Sequence, residues 1–175
     1  QVDRRQRQMC IRDSAYTANP MLITVDADLS DWGETPFLAQ TPFRTGNSDV
    51  VDAPWVEFQE YGGGIWSGIG DQASAFAVTW ETYAVYIGVK VIDDTHQNPG
   101  SGWNGDTVQI AFTNAARDAA GADMILYNYG LADDGTQVLH HERHPCPSTS
   151  NCTEAAMERF ESAKLTIYEM RFPAH

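Results

Sequence analysis

The sequence predicts an all-β protein, an antiparallel β-sandwich of jelly-roll type, and three observations lead to this prediction. Segments rich in Val, Ile, Tyr, Phe and Trp lie between turn signals that recur at short spacing. Many of these segments alternate apolar and polar residues with period two, and helical periodicity is nearly absent. The length of 175 residues fits one domain that can bury a sizeable core.

The candidate strands follow from the turn signals and the alternation between them. Residues 81–83 are short enough to join their neighbours as a hairpin, whereas 93–105 form a long loop with two Pro/Gly turns, typical of a functional rim. The glycine-rich segment 61–72 indicates a flexible loop, and 113–123 have room for one helical turn. The predicted strands are 21–25, 55–59, 74–80, 84–92, 106–112, 124–129, 138–142, 156–160 and 164–171.

The two ends of the chain differ from its centre. Residues 1–14 hold four of the 11 basic residues and show no strand or helix periodicity, so we interpret them as a non-native segment and assign the sandwich domain to 15–175. The last predicted strand runs directly into Pro173. Because a sandwich strand needs two neighbours or an exposed edge, we expect one to three further strands beyond His175, so that the domain is truncated here.

The charge balance excludes some partners. The net charge of −13 repels nucleic-acid backbones and anionic lipid surfaces, and no apolar run approaches the ~20 residues that span a bilayer. An acidic surface suits a neutral ligand such as a sugar, a Ca²⁺ site, or an extracellular protein without either. We therefore expect no nucleic-acid partner and no membrane insertion.

Two cysteines lie in a polar, Pro-containing segment. Cys146 and Cys152 are separated by five turn-forming residues, which makes them candidates for a local disulfide and an oxidising compartment. The nearby His140, His141 and His144 suggest zinc as an alternative, but the spacing matches no regular finger or ribbon. The disulfide with surface histidines is the favoured interpretation.

Three sequence blocks occur in an order that resembles the family 9 carbohydrate-binding modules and their DOMON-like relatives. These blocks are ITVDADLSDW at 23–32, WETYAVYIGVKVIDD at 80–94 and GWNGDTVQIAF at 102–112. The segment YEMRFP at 168–173 resembles a late strand of that family that leads to a proline. The resemblance covers the chain from about residue 21 to its end.

The resemblance implies a secreted β-sandwich that binds sugar through aromatic platforms and carries structural Ca²⁺. By position, Trp103 corresponds to the Trp that packs on a sugar face, and Gln109 corresponds to a residue that hydrogen-bonds sugar hydroxyls. Where better understood members have an Arg, this chain has Tyr127, so the resemblance does not carry their sugar specificity over to it. The family's second Trp would lie beyond the last residue of this chain.

The residues themselves fit a sugar site. Sugars offer C–H faces and hydroxyls, so a site needs an exposed ring and a few fixed polar partners. Small neighbours leave Trp103 accessible at a loop tip, although a loop Trp that packs on the core is the alternative. Asp106 and Gln109 would supply polar contacts, although a Gln109 that bonds to backbone at the core edge is the alternative. Trp55 and Trp66 are the candidates for a second platform, and Trp66, in the glycine loop, is the better one.

The strand that contains Tyr127 leaves two possibilities open. Tyr127 and Tyr129 point to one face and Asn128 to the other, because side chains alternate along a strand. Either the aromatic pair or the amide therefore faces the ligand.

Clustered carboxylates are candidate metal ligands. Asp93 and Asp94 close a strand of buried type, where adjacent carboxylates repel unless a cation or solvent screens them. Asp28 belongs to a second acidic group around the first turn. The alternative to a metal site is that these are solvated turn aspartates. The sequence contains no EF-hand loop, so the prediction of Ca²⁺ rests mainly on the resemblance.

Catalytic motifs are absent from the sequence. It contains no nucleophile elbow, zincin, Walker or dinucleotide motif, and sequence spacing cannot pair its carboxylates as a glycosidase would (Glu57, Glu60, Asp106 and Glu169 are the candidates). We therefore predict a non-catalytic carbohydrate-binding module, extracellular or periplasmic, monomeric within a larger multidomain chain. Two alternatives remain: a haem- or redox-binding DOMON-like domain that uses His96 and Met124, and a purely structural adhesion module.

Overall fold

The computed structural model describes residues 23–40, 69–100, 105–113, 124–142 and 153–173. Within these ranges, no helix is long and apolar enough to cross a membrane. A short 3₁₀ helix at Leu29–Trp32 precedes the strands. The strands are β1 (Leu38–Gln40), β2 (Gln72–Glu81), β3 (Ala84–Asp93), β4 (Thr107–Phe112), β5 (Ile125–Leu131), β6 (Gln137–Glu142), β7 (Glu154–Phe160) and β8 (Leu165–Pro173).

The strands form two antiparallel sheets. The large sheet has the order β1-β2-β3-β8-β7, and the small sheet has the order β4-β5-β6. Residues of both sheets meet in one core, so the sheets pack face to face as the two layers of a sandwich. The predicted all-β, antiparallel sandwich is therefore confirmed.

Most predicted strands agree with the structure. The β2–β3 hairpin turns at Thr82 and Tyr83, with Glu81 opposite Ala84, as the short connection predicted. The predicted strand 21–25 is wrong in its described part, because 23–25 form no strand; β1 is an additional strand that the sequence did not predict. The predicted strand 55–59 lies outside the described residues.

Alternation along the strands creates the core between the sheets. On β3, the odd-numbered residues 85–93 face inward, and on β8 the even-numbered residues 166–172 do so. From the small sheet, Tyr127 and Tyr129 stack against each other with ring centroids 6.0 Å apart, and Phe172 contacts both rings. This aromatic packing joins the two layers.

The opposite face of the large sheet is covered by the N-terminal part of the described chain. Trp32 is 1% exposed and packs in a second apolar cluster with Tyr86. A Cβ at Gly88 would come within 3.0 Å of the Trp32 ring, so glycine makes the close approach possible. Trp80, near the end of β2, is 41% exposed.

Glu169 anchors this second cluster. Its carboxylate accepts a hydrogen bond from the Trp32 indole at 2.7 Å and from the backbone N–H groups of Asp26 and Ala27 at 2.9 Å each. Burial raises the pKa of Glu169, although its three donors favour the charged form. The segment 23–27 is therefore held by a buried carboxylate rather than by strand pairing, which explains why its alternating pattern forms no strand.

Candidate functional site

The outward face of the small sheet carries a row of polar side chains. Gln109, Asn128 and His140 lie opposite one another on β4, β5 and β6, and we call them the polar row. Gln109 is exposed, and its Nε2 donates a hydrogen bond to Asn128 Oδ1 at 2.9 Å. Asn128 is 1% exposed, and its Nδ2 has no hydrogen-bond partner in the described part of the chain. The row thus holds the exposed Gln109 amide in a fixed position at the surface.

A loop packs against the same face beside the polar row. Asn98 is fully buried, its Nδ2 donates to the Asp106 carbonyl at 3.0 Å, and its backbone N–H donates to Asp133 Oδ1 at 2.6 Å. Gly130 is next in line after Asn128 on this face, and a Cβ there would come within 2.6 Å of Asn98 Nδ2. The loop is therefore fixed on the sheet by a buried amide over a glycine.

This packing creates an open groove of about 390 Å³. One side consists of residues 98–100 of the loop. The other consists of the β5–β6 turn, with Val138, and its lining residues are Ala132, Asp133, Asp134 and Thr136. Val138 faces outward two residues before His140, so the groove adjoins the polar row. Gly100 lines this groove, and Trp103 follows it by three residues in the sequence.

Tyr127, which the resemblance suggested as a ligand contact, lies in the core instead. Its side chain is 3% exposed and packs edge-on against Phe112. Burial raises the pKa of Tyr127 to about 12 and that of Tyr129 likewise to about 12. Of the two possibilities left open by the sequence, the amide of Asn128 is the one that faces away from the core.

Asp106 has a different position from Gln109, although both are close in sequence. Its inward-facing side chain lies with Asp93 and His96, and one ligand-capable atom of each lies within 4.8 Å of the others. We call these residues the acidic cluster. Burial raises the pKa of Asp93 to about 6, and the nearby Asp106 carboxylate adds to this, while the Thr95 N–H and the Arg159 charge oppose it.

The other predicted metal ligands lie apart from the acidic cluster. Asp94 is exposed, and Asp28 caps the 3₁₀ helix by accepting a hydrogen bond from the Ser30 N–H at 3.0 Å. Within the described residues, the group at the end of the sandwich is the one cluster of three that could hold a metal ion. Its imidazole nitrogen does not fit Ca²⁺, which takes about six to eight oxygen ligands.

Several predicted residues fall outside the described ranges. They are Trp103 and Trp66 of the predicted sugar site and Cys146 and Cys152 of the predicted disulfide. Their predicted roles stay predictions.

Two carboxylates considered as a glycosidase pair are separated by the large sheet. Asp106 faces the interior between the sheets, whereas Glu169 lies opposite Gly88 and faces the Trp32 side. Glu169 is fully buried and already accepts three hydrogen bonds. The two groups cannot flank one glycosidic bond.

The comparisons with known proteins bear on the fold. No family model matches the sequence, and no curated protein matches it. The fold is similar to that of a family 9 carbohydrate-binding module from Caldicellulosiruptor kristjanssonii. Against its complex with glucose the TM-score is 0.54 at 11% identity, covering 90% of this chain and 67% of that one. Against its complex with cellotriose the TM-score is 0.53 at 13% identity, covering 87% of this chain and 63% of that one. This chain thus has a family 9-like fold and spans about two thirds of those proteins.

Proposed function

We propose that this domain is a non-catalytic module that binds neutral saccharides on the outward face of the small sheet. The observation that carries this proposal is the exposed Gln109, held by the buried Asn128 beside a groove. A carboxamide both donates and accepts hydrogen bonds, so it matches a sugar hydroxyl, which does the same. A site of this kind needs no charge on the ligand.

The fold supports the same proposal. The similar module from Caldicellulosiruptor kristjanssonii was solved in complex with glucose and with cellotriose, so we propose glucose and short β-glucans as the first ligands to test here. Trp103 would supply the aromatic platform, since it lies in the segment between Gly100 and Gly105. Trp66 remains the candidate for a second platform. An extracellular or periplasmic location within a larger chain is part of this proposal.

Calorimetry against a sugar panel tests the proposal. We expect Gln109→Ala to weaken binding by about tenfold, because one or two hydrogen bonds of about 1 kcal/mol each are lost. Gln137→Ala is the matched control, since Gln137 is an exposed glutamine on β6 outside the polar row. Trp103→Ala should abolish measurable binding. No heat with any sugar, or equal losses in both glutamine variants, would contradict the proposal.

The alternatives receive less support. A haem-binding role that uses His96 and Met124 conflicts with their positions, because His96 contacts Leu131 at the end of β5, whereas Met124 precedes the start of the same seven-residue strand. A purely structural adhesion module remains the competitor, and the sugar panel decides between them. Of the four carboxylates considered for a glycosidase pair, Asp106 and Glu169 do not meet, and Glu57 and Glu60 lie outside the described residues.

A further inference from the structure

The acidic cluster lies where inward-facing positions of both sheets reach the end of the sandwich. Asp93 is the last residue of β3 and continues its inward-facing series, and Asp106 directly precedes β4 with the same orientation as Val108. Asp93 is 9% exposed. Two carboxylates thus converge from opposite layers at a partly buried position, where their mutual repulsion is weakly screened.

The neighbouring arginine does not neutralise these carboxylates directly. Arg159 donates from Nη2 to the Asp93 backbone carbonyl at 2.8 Å, from Nη1 to Thr166 Oγ1 at 3.2 Å and from Nε to Glu161 at 3.1 Å. Each carboxylate also accepts one backbone N–H: that of Thr95 for Asp93 and that of Gln97 for Asp106. The side chains of Asp93 and Asp106 also lie within hydrogen-bonding reach of each other, so a proton or a cation between them would relieve their repulsion.

His96 is the third member of the cluster, and its ring contacts Asp106. Its side chain is 8% exposed, and its Nε2 lies 2.7 Å from the Leu131 carbonyl oxygen. A carbonyl only accepts, so Nε2 carries the proton and a neutral ring directs the Nδ1 lone pair at Asp106 Oδ2, 3.3 Å away. Two acceptors in this arrangement need a proton or a metal between them. A ring N–H that donates to a backbone carbonyl is the usual support for a metal-bound histidine.

We propose that Asp93, His96 and Asp106 bind a divalent cation of the zinc type rather than Ca²⁺. One imidazole nitrogen and two carboxylates form a mixed N/O donor set that suits Zn²⁺ and related transition ions, whereas Ca²⁺ selects oxygen. Ligands of one Zn²⁺ lie roughly 3–4 Å apart, so side chains already within 4.8 Å reach it with small rotations. This proposal does not depend on sugar binding.

Calorimetric titration of the protein with ZnCl₂ and, separately, CaCl₂ tests the proposal. We expect one equivalent of Zn²⁺ to bind at this site, and His96→Gln to weaken that equivalent by about tenfold or more. Asp94→Asn is the matched control, because Asp94 is the exposed neighbour of Asp93 and should leave the affinity unchanged. Zinc affinity unaffected by His96→Gln would overturn the proposal, as would Ca²⁺ binding of equal strength that depends on Asp93.

A second measurement avoids any folding defect of the variants. In the wild-type protein, ¹⁵N NMR of the imidazole rings follows both nitrogens of His96 during the Zn²⁺ titration. We expect Nδ1 to shift on metal binding while Nε2 keeps its proton. A His96 signal that responds to pH but not to Zn²⁺ would show that a proton alone occupies the cluster, and the proposal would then be wrong.

Discussion

Replacing Glu169 by Gln tests how the outer layer is attached to the sandwich. In wild type, one carboxylate oxygen accepts the Trp32 indole N–H, and the other accepts the backbone N–H groups of Asp26 and Ala27. A glutamine has only one acceptor oxygen. If that oxygen faces the two backbone groups, the amide NH₂ faces the indole N–H, and a buried donor loses its partner.

The cost follows from these three contacts. An orphaned buried donor costs about 1–3 kcal/mol, and two hydrogen bonds change from charged to neutral acceptors at about 1 kcal/mol each. Removing a buried charge offsets part of this, since burial raises the pKa of Glu169. We expect Glu169→Gln to lower the free energy of unfolding by about 2–4 kcal/mol and Tm by roughly 5–15 °C.

Urea unfolding followed by far-UV circular dichroism measures this change. Glu158→Gln, at an exposed position of β7, is the matched control and should stay within about 0.5 kcal/mol of wild type. In a Trp32→Phe background the amide meets no donor, so Glu169→Gln should cost about 1–2 kcal/mol less there. A cost below 0.5 kcal/mol, or an equal cost in both backgrounds, would refute the reasoning.

Two further predictions concern the loop before β4 and the aromatic core. Gly105 has φ +115°, and a Cβ there would overlap the loop backbone, so Gly105→Ala should destabilise the protein by about 3 kcal/mol or more in thermal unfolding. Gly135→Ala, at φ +85° with nothing within 4 Å, should cost only about 1–2 kcal/mol, and equal costs would contradict the overlap. Burial raises the pKa of Tyr127 and of Tyr129 from 10.0 to about 12, so the unfolded chain releases these protons first and stability should fall as pH rises from 10 to 12. Absorbance at 295 nm, recorded with circular dichroism, checks this: tyrosines that all ionise near pH 10 while the fold persists would contradict it.

The long strands of the large sheet could be predicted because their apolar patterns extend over many residues. Residues 84–92 form an almost continuous apolar run, 164–171 mix apolar and polar residues without Gly or Pro, and the structure confirms β3 and β8 there. The three residues of β1 are too few to show a period. Ile23 and Val25 alternate with polar residues as in a strand, but they pack on the Trp32 cluster and form no strand. Here the alternating pattern indicated burial and not strand pairing.

The acidic cluster could have been inferred in part from the same alternation. Asp93 follows Val89 and Val91 on the inward face, and Asp106 precedes Val108 at matching parity, so the pattern alone places both carboxylates inside. The role of His96 was out of reach, because it depends on a loop path set by tertiary contacts. For Asn128, the sequence reduced the choice to one of two faces, and only packing between the sheets selects the face.

The segment 106–109, which leads into β4, belongs to both candidate sites, which implies coupling between them. Asp106 faces the acidic cluster, whereas Gln109 faces the polar row, and the loop bridges these two sides: Gln97 N–H donates to the Asp106 carboxylate and Asn98 packs over Gly130. A cation that binds Asp106, as proposed, would therefore also hold the loop beside the proposed sugar groove. Chelation should then weaken sugar affinity, and by linkage a bound sugar should strengthen zinc affinity by the same factor. Sugar affinity that stays constant across a chelator titration, in protein shown to release its zinc, would mean that the two faces of β4 act independently.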